Sequence, residues 1–211
     1  MLPNKTDLKN SLQHFIDEGY TLKDTIKNYL EEHLSPGEID VNIMTKVDKD
    51  NFDRNEQLAV EFNDAHAALR GFANSNLSSS VVLSAGMKPR LYSYFENFKD
   101  FFPNSETIIK KKIILKVSDF RSALIQGSFL AKKGLWVSEF RIESGLNCGG
   151  HAFATEGILL GPILEEFKQK KEELIANNFQ LMKKALENKN LKVPEHPFPL
   201  EITVQGGVGT A

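Results

Sequence analysis

Residues 112–142 read KIILKVSDF RSALIQGSFL AKKGLWVSEF RI. Lys112 to Val117 is a short apolar run stopped by Ser118 and Asp119, the pattern of a strand buried on both faces. Phe120 to Lys132 has helical character and is broken by Gly134. Leu135 to Ile142 is a second strand region. A strand, a helix and a strand in this order predict a parallel pair, because two antiparallel strands need only a tight turn between them. The crossover is expected to be right-handed.

The same alternation extends in both directions. Upstream, Ser80-Val81-Val82-Leu83-Ser84 is a short buried strand ending at Gly86, and Pro89 to Phe98 is helical. Asn55 to Arg70 is alanine-rich and predicted helical, followed by an Asn/Ser loop from Asn74 to Ser80. Ile39 to Val47 alternates as a strand does. Thr21 caps a helix carrying Leu22, Ile26 and Leu30, which ends before Ser35-Pro36-Gly37. Leu8, Leu12 and Phe15 have helical spacing. Downstream, a glycine-rich loop covers Gly145 to His151. A long helix then starts near Pro162, a favourable first-turn residue, and runs to about Lys189. Glu201-Ile202-Thr203-Val204 is a fifth strand. The class is therefore α/β, either a doubly wound open sheet or all or part of a (β/α)8 barrel.

Composition narrows the function classes. With 26 Lys and Arg against 28 Asp and Glu, the formal charge is -2, which provides no electrostatic case for nucleic acid or an anionic membrane surface. The apolar runs are far shorter than a membrane span. The start, Met1-Leu2-Pro3-Asn4-Lys5, lacks the apolar stretch of a signal peptide. With a single cysteine, Cys148, no internal disulfide forms, and the expectation is a cytoplasmic protein. Fifteen phenylalanines imply a large dry core. The five histidines are scattered, with no metal-ligand spacing, so no metal site is expected.

In both candidate architectures chemistry collects where strands end. The strand ends here carry Asn42 and Met44, Ser84-Ala85-Gly86, Lys116 and Ser118, Ser144 to His151, and Gly206-Gly207. Cys148-Gly149-Gly150-His151 combines backbone that a ligand can approach closely with a side chain that exchanges protons near neutrality. The same residues would also make a glycine turn with a surface histidine. Gly206-Gly207-Val208-Gly209-Thr210 follows a strand as a phosphate-cradling loop would, or forms a simple turn. Lys116 pairs with an anionic ligand or snorkels to solvent. Asn42 holds a ligand's polar edge or makes a local bond. Cys148 is assigned to packing rather than nucleophilic attack, since no acidic orienting partner accompanies it.

Taken in order, Val41-Asn42-Ile43-Met44, Val81-Val82-Leu83-Ser84-Ala85-Gly86-Met87-Lys88-Pro89, Ile114-Leu115-Lys116-Val117-Ser118, Cys148-Gly149-Gly150-His151 and Gly206-Gly207-Val208-Gly209-Thr210 resemble the nitronate monooxygenase family. That family, also called 2-nitropropane dioxygenase-like, includes FMN-dependent enoyl-ACP reductases. The resemblance implies an FMN-binding TIM barrel. It implies that Asn42 touches the flavin, that Gly149 and Gly150 let it lie against backbone, and that Gly206 and Gly207 hold its phosphate. It makes His151 the base in nitronate oxidation. Lys116 joins the cofactor-binding set through its position at a strand end.

The chain departs from the family at Asn147-Cys148, where Glu-Ala is usual, and at Ser144, where Gln or Glu is common. The segment between His151 and Gly206 is also longer than usual. The implied register makes the chain strands three to seven of eight. Residues 1–211 would then be a single FMN-binding domain truncated at both ends and inactive alone. The expected activity is oxidation of a small nitronate-like substrate. The alternatives are an FMN- and NAD(P)H-dependent enoyl-thioester reductase and a non-catalytic phosphate-binding α/β module.

Overall fold

The computed structural model describes residues 10, 13–14, 17–19, 21–33, 40–43, 48–143 and 160–205. The chain divides into two compact units, Met1–Glu38 and Ile39–Ala211. The first contains helix α1 (Leu22–His33). Thr21 caps it as expected: its hydroxyl accepts from the Asp24 amide at 3.2 Å and donates to the Asp24 carboxylate, a reciprocal cap.

The second unit is built on five parallel strands: β1 (Val41–Ile43), β4 (Ser80–Leu83), β5 (Lys112–Val117), β6 (Val137–Glu143) and β7 (Glu201–Gln205), adjacent in that order. A two-stranded antiparallel ribbon, β2 (Phe52–Asp53) and β3 (Glu56–Gln57), lies apart from this sheet. The helices between the parallel strands are α2 (Asp64–Asn74), α3 (Pro89–Tyr94), α4 (Phe120–Ala131) and α5 (Leu160–Asn188). The strand order follows the chain without reversal. A doubly wound sheet reverses direction at a switch point, and these five strands have none. With right-handed connections every crossover advances the same way, so the helices collect on one face.

Register shows which face that is. Ile43, Leu83, Leu115, Phe140 and Ile202 form one cross-strand row, all apolar. Phe140 meets α4: a Cβ added to Gly127 would lie 2.9 Å from the Phe140 ring and 2.7 Å from Asn178 of α5. Gly127 thus lets α4, α5 and β6 meet in one tight contact. Eight phenylalanines are buried among the described residues, at 72, 95, 101, 102, 120, 140, 167 and 179. Several pack edge to face, as Phe95 and Phe101 do with centroids 4.7 Å apart. The large phenylalanine-rich core expected from composition is present.

The stretch Asn55 to Arg70 differs from its predicted helix. It contains β3, a short 3-10 turn at Val60–Phe62, and only then α2. Local side-chain bonds hold the earlier part in loop form: Asn51 Nδ2 donates to Phe62 O at 2.7 Å and to Asp64 Oδ1 at 2.9 Å. Such bonds compete with helix formation. Likewise α3 ends at Tyr94 and continues as a 3-10 turn to Asn97. The long predicted helix is present as α5.

Glu96 ties distant elements together. Its carboxylate accepts from Lys133 at 2.6 Å and from Lys189 at 2.8 Å. Burial opposes its ionisation, but the two bonded ammoniums outweigh burial and hold the carboxyl below the ordinary value of 4.5. A carboxyl depressed in the fold stabilises it above the unfolded value and loses that stabilisation as pH falls through the folded value. Below 4.5, the native protein is therefore expected to lose stability more steeply than Glu96→Gln. Thermal melts across that range check the slope.

Candidate functional site

Because all five strands are parallel, the chain leaves each of them at the same edge, at Ile43, Leu83, Val117, Glu143 and Gln205. The predicted residues Gly149, Gly150, His151, Gly206 and Gly207 lie outside the described residues. Asn42 and Lys116 are described, and register puts both on the face opposite the helices. Asn42 aligns with Val82, then Ile114, and Lys116 is two residues beyond Ile114. Asn42 is exposed.

That opposite face carries charge. Strand β6 presents Glu139, Arg141 and Glu143 there, alternating with Phe140 and Ile142 on the helix side. Arg141 grips Glu139 in a forked pair, Nε to Oε1 at 2.7 Å and Nη2 to Oε2 at 3.1 Å. Thr203 of β7 donates to the same Glu139 oxygen. The bond to Glu139 raises the Arg141 guanidinium above its already high value despite partial burial.

Arg141 Nη2 also lies 3.7 Å from Asp40 Oδ2, beside β1. Neighbouring strands are about 4.8 Å apart, so three steps across a flat sheet cover about 14 Å. Asp40 is also level with Lys112 whereas Arg141 is level with Lys116, so four residues along the strands add about 13 Å in that direction, and an arginine and an aspartate do not span both. The contact requires the sheet to curl toward this face.

Lys116 has a partner that neither reading of the sequence anticipated. Its Nζ lies 3.2 Å from Glu143 Oε1, with both side chains nearly inaccessible, at 7% and 6%. It does not snorkel to solvent. Among the described residues two cations, Lys116 and Arg141, face three carboxylates, Asp40, Glu139 and Glu143, so the described part of this cluster carries no surplus positive charge. What it offers is a rigid polar floor at the strand ends with hydrogen-bond donors fixed by ion pairs. Glu139, Arg141 and Glu143 were not singled out from sequence. Their signal is the period-two charge alternation inside an otherwise apolar strand.

A second group lies at the same strand-end edge but on the helix side of the sheet, where α2 and α3 begin. His66 Nδ1 bonds Asp48 Oδ2 at 2.6 Å, and the Ala65 amide donates to Asp48 Oδ1 at 2.9 Å. Among the described residues no group of three or more His, Cys, Asp or Glu side chains converges as a metal site, and no helix is long and apolar enough to cross a membrane. Comparison with known protein families, with curated proteins and with solved structures finds no match to this chain.

Proposed function

We propose that this chain is the strand-three to strand-seven part of an FMN-dependent oxidoreductase barrel of the nitronate monooxygenase class. The observation that carries the reading is the unreversed order of five parallel strands, which is the winding of a barrel rather than of a doubly wound sheet. The curl of the sheet toward its charged face supports it. Asn42, exposed on that face, fits a role in holding a flavin's polar edge. Lys116, neutralised by Glu143, fits a positioning role better than charge pairing with the phosphate. Gly206 and Gly207 would hold the phosphate, and Gly149 and Gly150 would allow the ring system to lie against backbone.

Bound FMN would supply the electron-accepting chemistry. The chain's own contribution is to orient the substrate, exclude water, and take a proton from the substrate carbon at His151. Retention of FMN by the purified full-length protein, read as a flavin absorbance band after gel filtration, is the expected result. Failure to retain any flavin overturns the reading. In the intact enzyme, His151→Ala should keep FMN while turnover falls by about 10²–10⁴-fold. Full activity in that variant would assign proton transfer elsewhere. Propionate-3-nitronate assayed against crotonyl thioesters separates nitronate oxidation from enoyl reduction.

A further inference from the structure

Away from the charged sheet face, an open groove of about 500 Å³ is lined by Val60, His66, Pro89, Arg90, Ser93, Tyr94 and Asn97. The size suits a small ligand. Its innermost polar group is His66, whose side chain is 2% exposed. Asp48 Oδ2 accepts from Nδ1–H at 2.6 Å and the carboxylate is itself anchored by the Ala65 amide, so the ring is held in one orientation and tautomer. The Tyr94 ring packs against the imidazole with centroids 4.9 Å apart. Nε2 is thereby left as the nitrogen for an outside partner. It has no partner among the described residues, and it is not one of their sealed, unpaired polar atoms.

Arg90 supplies the charge. It is exposed on the groove wall and has no ion pair among the described residues. Asp48 stands behind the imidazole with one oxygen on Nδ1 and the other on the Ala65 amide, so it does not cancel Arg90 within the groove. Val60, Pro89 and the Tyr94 ring offer apolar surface beside these polar groups.

We infer that this groove binds a small phosphate-bearing molecule, with Arg90 as the charge partner and His66 Nε2 as the second contact. The choice of phosphate follows from the fixed tautomer. A neutral imidazole bonded to Asp48 through Nδ1–H presents a lone pair at Nε2, whereas an imidazolium presents a proton there. A phosphate group, whose second ionisation falls near pH 6, satisfies both states: it donates its acid hydroxyl to the neutral ring and accepts from the charged one. A carboxylate or a sulfate, fully ionised near neutrality, can only accept. Arg90 recognises phosphate oxygens in forked geometry. The organic part of the ligand lies against Val60, Pro89 and Tyr94. This site is independent of the flavin reading and shares no residue with it.

The test is a titration of inorganic phosphate into the isotope-labelled full chain, read at the ring nitrogens of His66. A saturable shift of Nε2 is expected. Arg90→Ala, an exposed change that leaves the core intact, should weaken binding by about 10–100-fold, the loss of one charge-assisted hydrogen bond. His66→Gln should weaken it as well, and sulfate and acetate should bind less tightly than phosphate. A shift that never saturates, one unchanged in Arg90→Ala, or one matched by sulfate or acetate overturns the proposal.

Discussion

Lys111→Met is expected to lower the free energy of unfolding by about 3–5 kcal/mol, the cost of removing one partner from a buried charged network. Lys111 is fully buried. Its ammonium donates to Phe72 O at 2.9 Å, Ser75 O at 3.0 Å and Leu77 O at 2.8 Å, with Ser75 Oγ at 3.2 Å. It also stands 4.5 Å above the Phe72 ring, where the ring's negative face favours a cation. These carbonyls belong to the last turn of α2 and the loop after it, the end of a helix that welcomes positive charge. Burial pushes the Lys111 ammonium below the usual lysine range, with the neighbouring Lys110 adding to the effect and Asp100 opposing it.

Methionine matches the length of the lysine stem but donates nothing, so the carbonyls lose their shared partner. Urea unfolding measures the loss. Lys110→Met is the control: Lys110 pairs with Asp100 at 3.0 Å on the surface, and its removal should cost under about 1 kcal/mol. A Lys111 variant no worse than this control would mean that water replaces the ammonium at no cost.

Glu143→Ala is the second large effect, again about 3–5 kcal/mol. It leaves the Lys116 ammonium in a site where that side chain is 7% exposed, without the carboxylate that compensates it. The attraction between such a pair roughly repays the desolvation of both ions, so losing one partner costs far more than losing both. Lys116→Met combined with Glu143→Leu should therefore recover at least half of the stability lost by Glu143→Ala. A double variant as unstable as the single one would show that Glu143 acts through something other than Lys116. The same comparison bears on the site, since the Lys116 ammonium is held by Glu143 instead of reaching solvent.

The elements of the main sheet were largely legible in the sequence. Val81 to Leu83 and Ile113 to Leu115 are apolar runs, and a run that is apolar at successive positions reports burial on both faces whatever its neighbours, while Val137 to Ile142 alternates. Helices α4 and α5 were legible from periodicity, and strict alternation with long crossovers made parallel pairing the only economical arrangement. The ribbon of β2 and β3 was not legible. Its strands are two residues each, too short for a period, and its turn rests on Arg54 at a φ of 56°, a left-handed conformation that arginine does not announce.

What only the tertiary structure decided is which side chains meet. Alternation says that Glu139, Arg141 and Glu143 share a face, but not that Lys116 lies diagonally opposite Glu143. That follows from the β5–β6 register, in which Lys116 aligns with Arg141. Asp40 and Arg141 meet because the sheet curls, a property of five strands together and of none singly. Lys111 looks like one of three successive surface lysines at 110–112 until the end of α2 folds over it. The groove of His66 and Arg90, with Asp48 behind the imidazole, draws on three chain segments separated by the β2–β3 ribbon and by β4. Local propensity and hydrophobic period act over a few residues, and they determined the elements. Ion pairs, carbonyl cages and grooves depend on register, curvature and chain return over tens of residues, and the energy that selects them is packing and charge compensation, which no short window of sequence contains.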